Sequence, residues 1–166
     1  RKRPRRAAAE PPGEREGPPA VVLWLSKKAK QWLTAARSDR LRRLGARFSE
    51  DGADATHVVI AGALRRTLRV MAAICRGQPV VTLEWLQASL LAGQWADEQE
   101  HAPAQLSWCP LSAALRRARE RLLLAGCKVH LLPSVAQRPE LPELVAAAGG
   151  ELLAALPRGP RRRRPC

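Results

Sequence analysis

Residues 56–93 read THVVIAGALRRTLRVMAAICRGQPVVTLEWLQASLLAG, and the periodicities in this stretch decide the fold. His57 to Ala61 is a short run rich in β-branched residues, which predicts a strand. At about 100° per residue, Leu64, Leu68, Met71 and Cys75 fall on one helix face, widened by Val70 and Ile74. That spacing predicts an amphipathic helix from Leu64 to Arg76, stopped by Gly77. Pro79 to Leu83 is a strand of buried type, and Glu84 to Leu91 a short helix carrying Trp85 and closed by Gly93. Strands alternating with helices predict a parallel sheet covered on both faces.

The same stretch has an unusual charge pattern. No carboxylate stands between Asp54 and Glu84, whereas Arg65, Arg66, Arg69 and Arg76 all do, opposite the apolar face. Arg65 and Arg66 are expected in the first helical turn, where the macrodipole disfavours cations. Glu and Asp are absent at the i±3 and i±4 positions that would offset them. An external anion near the helix start is the expected relief.

Upstream, Val21 to Leu25 is a strand-length apolar run, residues 29–44 an expected helix capped by Gly45, and Ala46 to Phe48 a brief strand. Residues 20–95 then follow the order β-α-β-β-α-β-α. Residues 1–19 are Arg, Pro, Glu and Gly with almost nothing to bury, and are expected to be disordered. Residues 96–125 read as a linker whose Pro110 opens a helix with Leu111, Leu115, Ala118 and Leu122 on one stripe. From 126 to 157 the opening pattern repeats: strand Cys127 to Leu132, helix Pro139 to Ala148, a Gly149-Gly150 stop and strand Glu151 to Leu156. Residues 158–166 form a second basic tail.

Composition narrows the class. The chain has 166 residues and a net charge of +14. Residues 1–6 carry five Lys/Arg, and Arg158 with Arg161 to Arg164 five more. Removing those ten leaves 19 basic against 15 acidic residues, so the body is only +4. Such tails suit polyanion binding or nuclear import. Cys75, Cys109, Cys127 and Cys166 form no C-x-x-C, and His57, His101 and His130 are scattered, so neither a zinc site nor a disulfide framework is expected. A phosphate loop, a G-x-S-x-G and a Cys/His constellation are all missing, which argues against an enzyme and against a cofactor. Membrane attachment is not expected, because no apolar run is long enough to span a bilayer.

The element order, Gly77 and Trp85, together with RRTLRVMAAICRGQPVVTLEWL (65–86) and LSAALRRARERLLLAGCKVHLLPSV (111–135), resemble the tandem BRCT family. The resemblance implies a small parallel sheet flanked by helices, followed by a linker helix and a truncated second BRCT repeat. It also implies a nuclear phosphoserine-peptide adaptor of the DNA damage response and checkpoint signalling. The implied partner is a phosphorylated protein tail, a damage-marking histone variant being one candidate; weak DNA contact is expected separately, from the basic tails. In such pairs the first repeat grips the phosphate with a Thr-Gly at the end of its first strand and a basic residue on its second helix. Arg69 matches that basic position and Arg66 the arginine that holds the peptide beyond the phosphoserine. Where the family has Thr-Gly, this chain reads Leu25-Ser26, so the hydroxyl would come from Ser26 and a Cβ replaces the glycine. Thr67 and Lys27 complete the expected phosphopeptide-binding set. Two other readings remain open at this point: a polyanion binder acting through its tails, and a BRCT-like association scaffold without a phosphate site.

Overall fold

The computed structural model describes residues 21–103, 110–136 and 138–156. The expected tails at 1–19 and 158–166 lie outside the described residues. Four strands, β1 (Val21–Leu25), β2 (Ala46–Phe48), β3 (His57–Ile60) and β4 (Val80–Thr82), form one sheet in the order β2-β1-β3-β4. All three ladders are parallel, with Val21 opposite Ala46, Leu23 opposite His57 and Val58 opposite Val80. This is the small parallel sheet expected from the alternation of strands and helices.

Side-chain alternation along the strands builds two cores. Leu23, Leu25, Val59 and Val81 point to one face, where they meet Ala29, Leu41, Trp85, Leu86 and Leu90. Those partners come from α1 (Lys27–Trp32), α2 (Ala35–Arg43) and α4 (Leu83–Ala92). Val58, Ile60 and Val80 point the other way, onto Val70, Ala73 and Ile74 of α3 (Leu68–Cys75) and Leu111 of α5 (Leu111–Glu120). The result is a helix–sheet–helix sandwich.

Three expected boundaries are corrected. The helix expected over 29–44 is two helices. Thr34 is extended, and its Oγ1 accepts the Arg37 N–H at 3.3 Å, which starts α2 afresh. Arg37 closes the corner by donating to the Trp32 carbonyl at 2.7 Å, its guanidinium 4.5 Å from the Trp32 ring centre. The second boundary is the start of α3, at Leu68 rather than Leu64, because Thr67 is extended and its Oγ1 accepts the Val70 N–H at 3.4 Å. Arg65 and Arg66 therefore precede the helix, and Arg69 is the arginine in its first turn, where the dipole disfavours a cation. The buried stripe of α3 is also displaced: Val70, Ala72, Ala73 and Ile74 are buried, while Leu68, Met71 and Cys75 are half-buried. Third, α5 ends at Glu120, where Arg121 turns extended. Leu122 and Leu124, which follow it, serve other contacts. Leu122 packs where a Cβ on Gly149 would lie 2.8 Å away, Leu124 does the same at Gly150 at 3.2 Å, and the Leu124 N–H donates to the Ala148 carbonyl at 2.8 Å.

Gly77 joins the two parts of the chain. It holds φ +68°, and a Cβ there would lie 2.6 Å from Cγ and 3.1 Å from the backbone N of Arg119. Glycine thus permits both the left-handed turn after α3 and the close approach of α5. Arg119 Nε donates to the Gly77 carbonyl at 2.8 Å across this contact.

Beyond α5 the opening topology recurs in miniature. Strand β5 (Lys128–Val129) and strand β6 (Glu151–Leu152) pair in parallel, separated by α6 (Pro133–Ala136) and α7 (Glu140–Ala147). Both strands are much shorter than expected. With only two strands in this sheet the ladder has little support. Pro133 ends the first run by opening α6, which was not expected from the sequence.

Candidate phosphopeptide site

Parallel α/β sheets place ligands at the carboxyl ends of their strands, where neighbouring crossovers diverge. Here β1 is the branch point: its chain continues to β2 on one side and its other neighbour is β3. Ser26 stands at the end of β1. Its N–H donates to the Val59 carbonyl at 2.9 Å, fixing it against β3. Its Oγ accepts the Ala29 N–H at 3.4 Å, capping α1, and the Ala61 N–H at 3.3 Å. A serine hydroxyl has two acceptor sites and one proton to give. Both acceptor sites are filled, and among the described residues no acceptor takes the proton. Ser26 is half-buried, with its hydroxyl oriented by two backbone amides.

Leu25, at the position where the family carries Thr, is 2 % exposed and belongs to the α1/α2/α4 core. The hydroxyl at this end of β1 is therefore that of Ser26. Lys27 opens α1 immediately after it and is exposed.

From Ala61 the chain runs through Gly62 to Thr67 and into α3. Arg66 is exposed in this segment. Thr67, expected as a peptide contact, caps α3 with its hydroxyl. Arg69 occupies the first turn of α3, and its surroundings differ from those expected. Its Nη1 donates to Oε1 of Glu143 in α7, each side chain being 27 % exposed. The loop 49–54 closes its other flank. A Cβ on Gly52 would lie 2.9 Å from the Trp24 indole and 3.4 Å from Cδ of Arg69. In that loop Ser49 Oγ accepts the Gly52 N–H at 2.9 Å, and Asp51 accepts the Ala53 N–H at 2.9 Å. The Ala53 N–H and, more weakly, the Arg69 charge hold the Asp51 carboxyl below its ordinary range. The expected external anion thus has an internal counterpart: a carboxylate 74 residues away in sequence already faces Arg69.

The structure ties Ser26 to Ala61, and Arg69 to Glu143 and the Gly52 turn. Sequence reasoning missed the Ala61 N–H, Gly52, Asp51 and Glu143. Glu143 had one legible signal, its place in the first turn of an expected helix, where acidic residues are common.

His57 is structural. It stacks on Trp85 at 5.1 Å, which stacks on Trp95 at 5.0 Å. Its Nε2 faces Glu98 at 2.9 Å, and Trp85 Nε1 donates to the Ala96 carbonyl at 2.8 Å. Groups of three or more His, Cys, Asp or Glu able to hold a metal are absent among the described residues.

A four-stranded parallel sheet in this order, with a glycine-ended α3 on one face and a buried tryptophan in α4 on the other, defines a BRCT module. Residues 26–90 match the family model of the BRCA1 C Terminus (BRCT) domain, and this stretch of the chain is a BRCT domain. Among curated proteins, Mediator of DNA damage checkpoint protein 1 of Homo sapiens is 35 % identical over 130 residues, covering 74 % of this chain. The chain spans only 6 % of that relative's length. Among solved structures, the BRCT5–BRCT6 domains of S. pombe Brc1 superpose with a TM-score of 0.61 at 22 % identity, over 81 % of this chain and 66 % of that one. Rtt107p residues 820–1070 superpose at 0.52 and 10 % identity, over 80 % of this chain and 60 % of that one. Those two likenesses concern the fold alone.

Proposed function

We propose that this chain is a phosphoserine-peptide-binding adaptor module of the DNA damage response, acting in the nucleus without catalysis of its own. Its role in checkpoint signalling is carried over from the named relative. Residues 20–95 form the reading repeat, 96–125 the linker, and 126–157 part of a second repeat that buttresses the first. One observation carries the reading: a half-buried serine hydroxyl, with both acceptor sites filled by backbone amides and no acceptor for its proton among the described residues, stands at the carboxyl ends of two parallel strands. An O–H so held donates to a phosphate oxygen without reorganising. Arg69 and Arg66 supply the charge, since a phosphoserine carries about −1.5 to −2 charges that guanidinium groups suit geometrically. Lys27 adds a cation beside Ser26, and Thr67 fixes the start of α3. The partner is a phosphorylated protein tail, with a damage-marking histone variant as the first candidate. Calorimetry with matched phosphorylated and plain serine peptides tests this. The phosphopeptide should bind and its twin should not, and Ser26→Ala should weaken the difference about tenfold, the loss of one charge-assisted hydrogen bond. Equal binding of both peptides overturns the reading.

A second reading, binding to duplex DNA, draws support from the body of the fold rather than from the tails. Residues 27–47 hold eight Lys/Arg against a single Asp39. Lys27, Lys28, Lys30, Arg40, Arg42, Arg43 and Arg47 are all exposed. Residues 48–103 hold four arginines against seven carboxylates, so the charge of this repeat is concentrated on α1 and α2. Converting Lys28, Arg43 and Arg47 to Glu should lower the salt slope of duplex binding by about 2.7, at roughly 0.9 for each phosphate no longer neutralised. An unchanged slope removes this reading.

A further inference from the structure

The pairing of Arg69 with Glu143 poses a question about selectivity. A cation meant for a phosphate already holds a carboxylate. We propose that Glu143 is the charge gate of this site: a resident monoanion that Arg69 releases only to a dianion, so that phosphoserine is admitted and aspartate or glutamate is refused. This rests on the reading of Arg69 as a phosphate-gripping residue.

The geometry supports a gate rather than an incidental surface pair. Both side chains are 27 % exposed, so the pair is partly withdrawn from water and screened less than a solvated one. On its other flank the Arg69 stem lies beside Gly52, where an added Cβ would come 3.4 Å from Cδ of Arg69. Asp51 adds a second negative charge to the same field. Glu143 sits in the first turn of α7, and α7 packs directly on α3, so its carboxylate is delivered by a helix and not by a loose side chain.

An incoming anion must replace this carboxylate and then lie beside it. A carboxylate ligand offers Arg69 nothing that Glu143 does not, and it meets repulsion from Glu143 and Asp51. A phosphate dianion carries nearly twice the charge and a third acceptor oxygen. It alone gains from the exchange. The gate therefore discriminates by charge, not by tetrahedral shape.

The test uses the full chain and degenerate nine-residue peptide pools, immobilised, with the central residue fixed as phosphoserine, its O-methyl phosphodiester, glutamate or serine. The phosphodiester keeps the tetrahedral phosphorus but carries a single charge over two terminal oxygens instead of three. The native chain should retain the phosphoserine pool and treat the other three alike. Glu143→Gln keeps a carbonyl acceptor for Arg69 and so preserves the docking of α7. It should raise phosphoserine retention about fivefold and lift the phosphodiester and glutamate pools above serine. If the native chain retains phosphodiester as well as phosphoserine, charge does not gate the site, and that result needs no variant. If the native chain selects phosphoserine but Glu143→Gln changes no pool, Glu143 is not the gate while the phosphoserine reading stands. If no chain separates phosphoserine from serine, the phosphoserine reading itself has failed.

Discussion

Replacing Gly77 by Ala measures how the linker helix is held. Two costs are superposed at this residue. Its φ of +68° is a left-handed conformation, which costs a residue with a Cβ about 1–2 kcal/mol. The added Cβ would also lie 2.6 Å from Arg119 Cγ, 3.1 Å from Arg119 N and 3.3 Å from the Leu115 carbonyl. The arginine stem can turn aside, but doing so breaks the Arg119 Nε bond to the Gly77 carbonyl, a loss of about 1 kcal/mol. The two backbone atoms belong to α5, so the helix itself must shift, an overpacking cost of about 1–3 kcal/mol. Gly93 separates these costs. It has nearly the same φ, +69°, after α4, yet a Cβ there meets nothing within 4 Å. Gly93→Ala should therefore cost only the conformational part. In urea denaturation followed by circular dichroism, Gly77→Ala should lose about 2 kcal/mol more than Gly93→Ala. Adding Arg119→Ala to Gly77→Ala should cost less than the sum of the single changes, because both disrupt the same hydrogen bond. Equal losses for the two glycines, or strict additivity with Arg119→Ala, would refute the claim that α5 is seated on this turn.

Thr67→Ala should destabilise the fold by about 1 kcal/mol through the missing cap of α3, and Thr67→Ser should restore most of it in the same denaturation assay. Trp85→Phe removes the donor to the Ala96 carbonyl and should cost about 1–3 kcal/mol, while the near-ultraviolet dichroism of the Trp85–Trp95 stack disappears. The Glu84 carboxyl is held below its ordinary range, chiefly by the Thr82 hydroxyl. The stability it contributes is present above that range and lost as pH falls through its folded-state value, so Glu84→Gln should flatten the acid limb of the stability profile. Burial pushes the Cys75 thiol up. Its contribution is present below the ordinary thiol range and lost as pH rises beyond it. Cys75→Ala should flatten the alkaline limb, and the native thiol should react with iodoacetamide more slowly than free cysteine.

Much of the fold was legible because it is written in local patterns. The β-branched runs at 21–25 and 57–61, Gly77 after an apolar helix, and Trp85 between Val81 and Leu90 each encode one element, and parallel pairing follows from their alternation. Periodicity was silent about breaks inside an apolar stripe. It merged α1 with α2 across Leu33-Thr34 and began α3 too early, at Leu64, because in each place a threonine hydroxyl satisfies a helix start without interrupting the spacing of leucines. Caps at Thr34 and Thr67 were present in the sequence and were outweighed by period. The candidate site divides differently. Arg65 and Arg66 were expected inside the helix and stand before it, whereas Ser26 at the end of β1 and Arg69 on α3 could be read directly. The partners that set their chemistry could not, because Ala61, Gly52 and Glu143 approach only once the chain has crossed the sheet. The rule that no carboxylate stands near Arg69 was true along one helix and false in three dimensions.

The all-parallel ladder has a consequence for how this chain reaches its native state. Val21 meets Ala46, Leu23 meets His57 and Val58 meets Val80, so every ladder joins residues more than twenty positions apart. Hairpins, which form in microseconds and could seed the sheet locally, do not occur in it. During synthesis β1 emerges with both edges bare and waits for β2 and then β3, so the nascent chain carries Val22, Leu23 and Leu25 exposed until residue 60 has left the ribosome. Ala29 of α1 and Leu41 of α2 are the core partners already synthesised in that interval, and they can cover Leu23 and Leu25 on one face of the strand only.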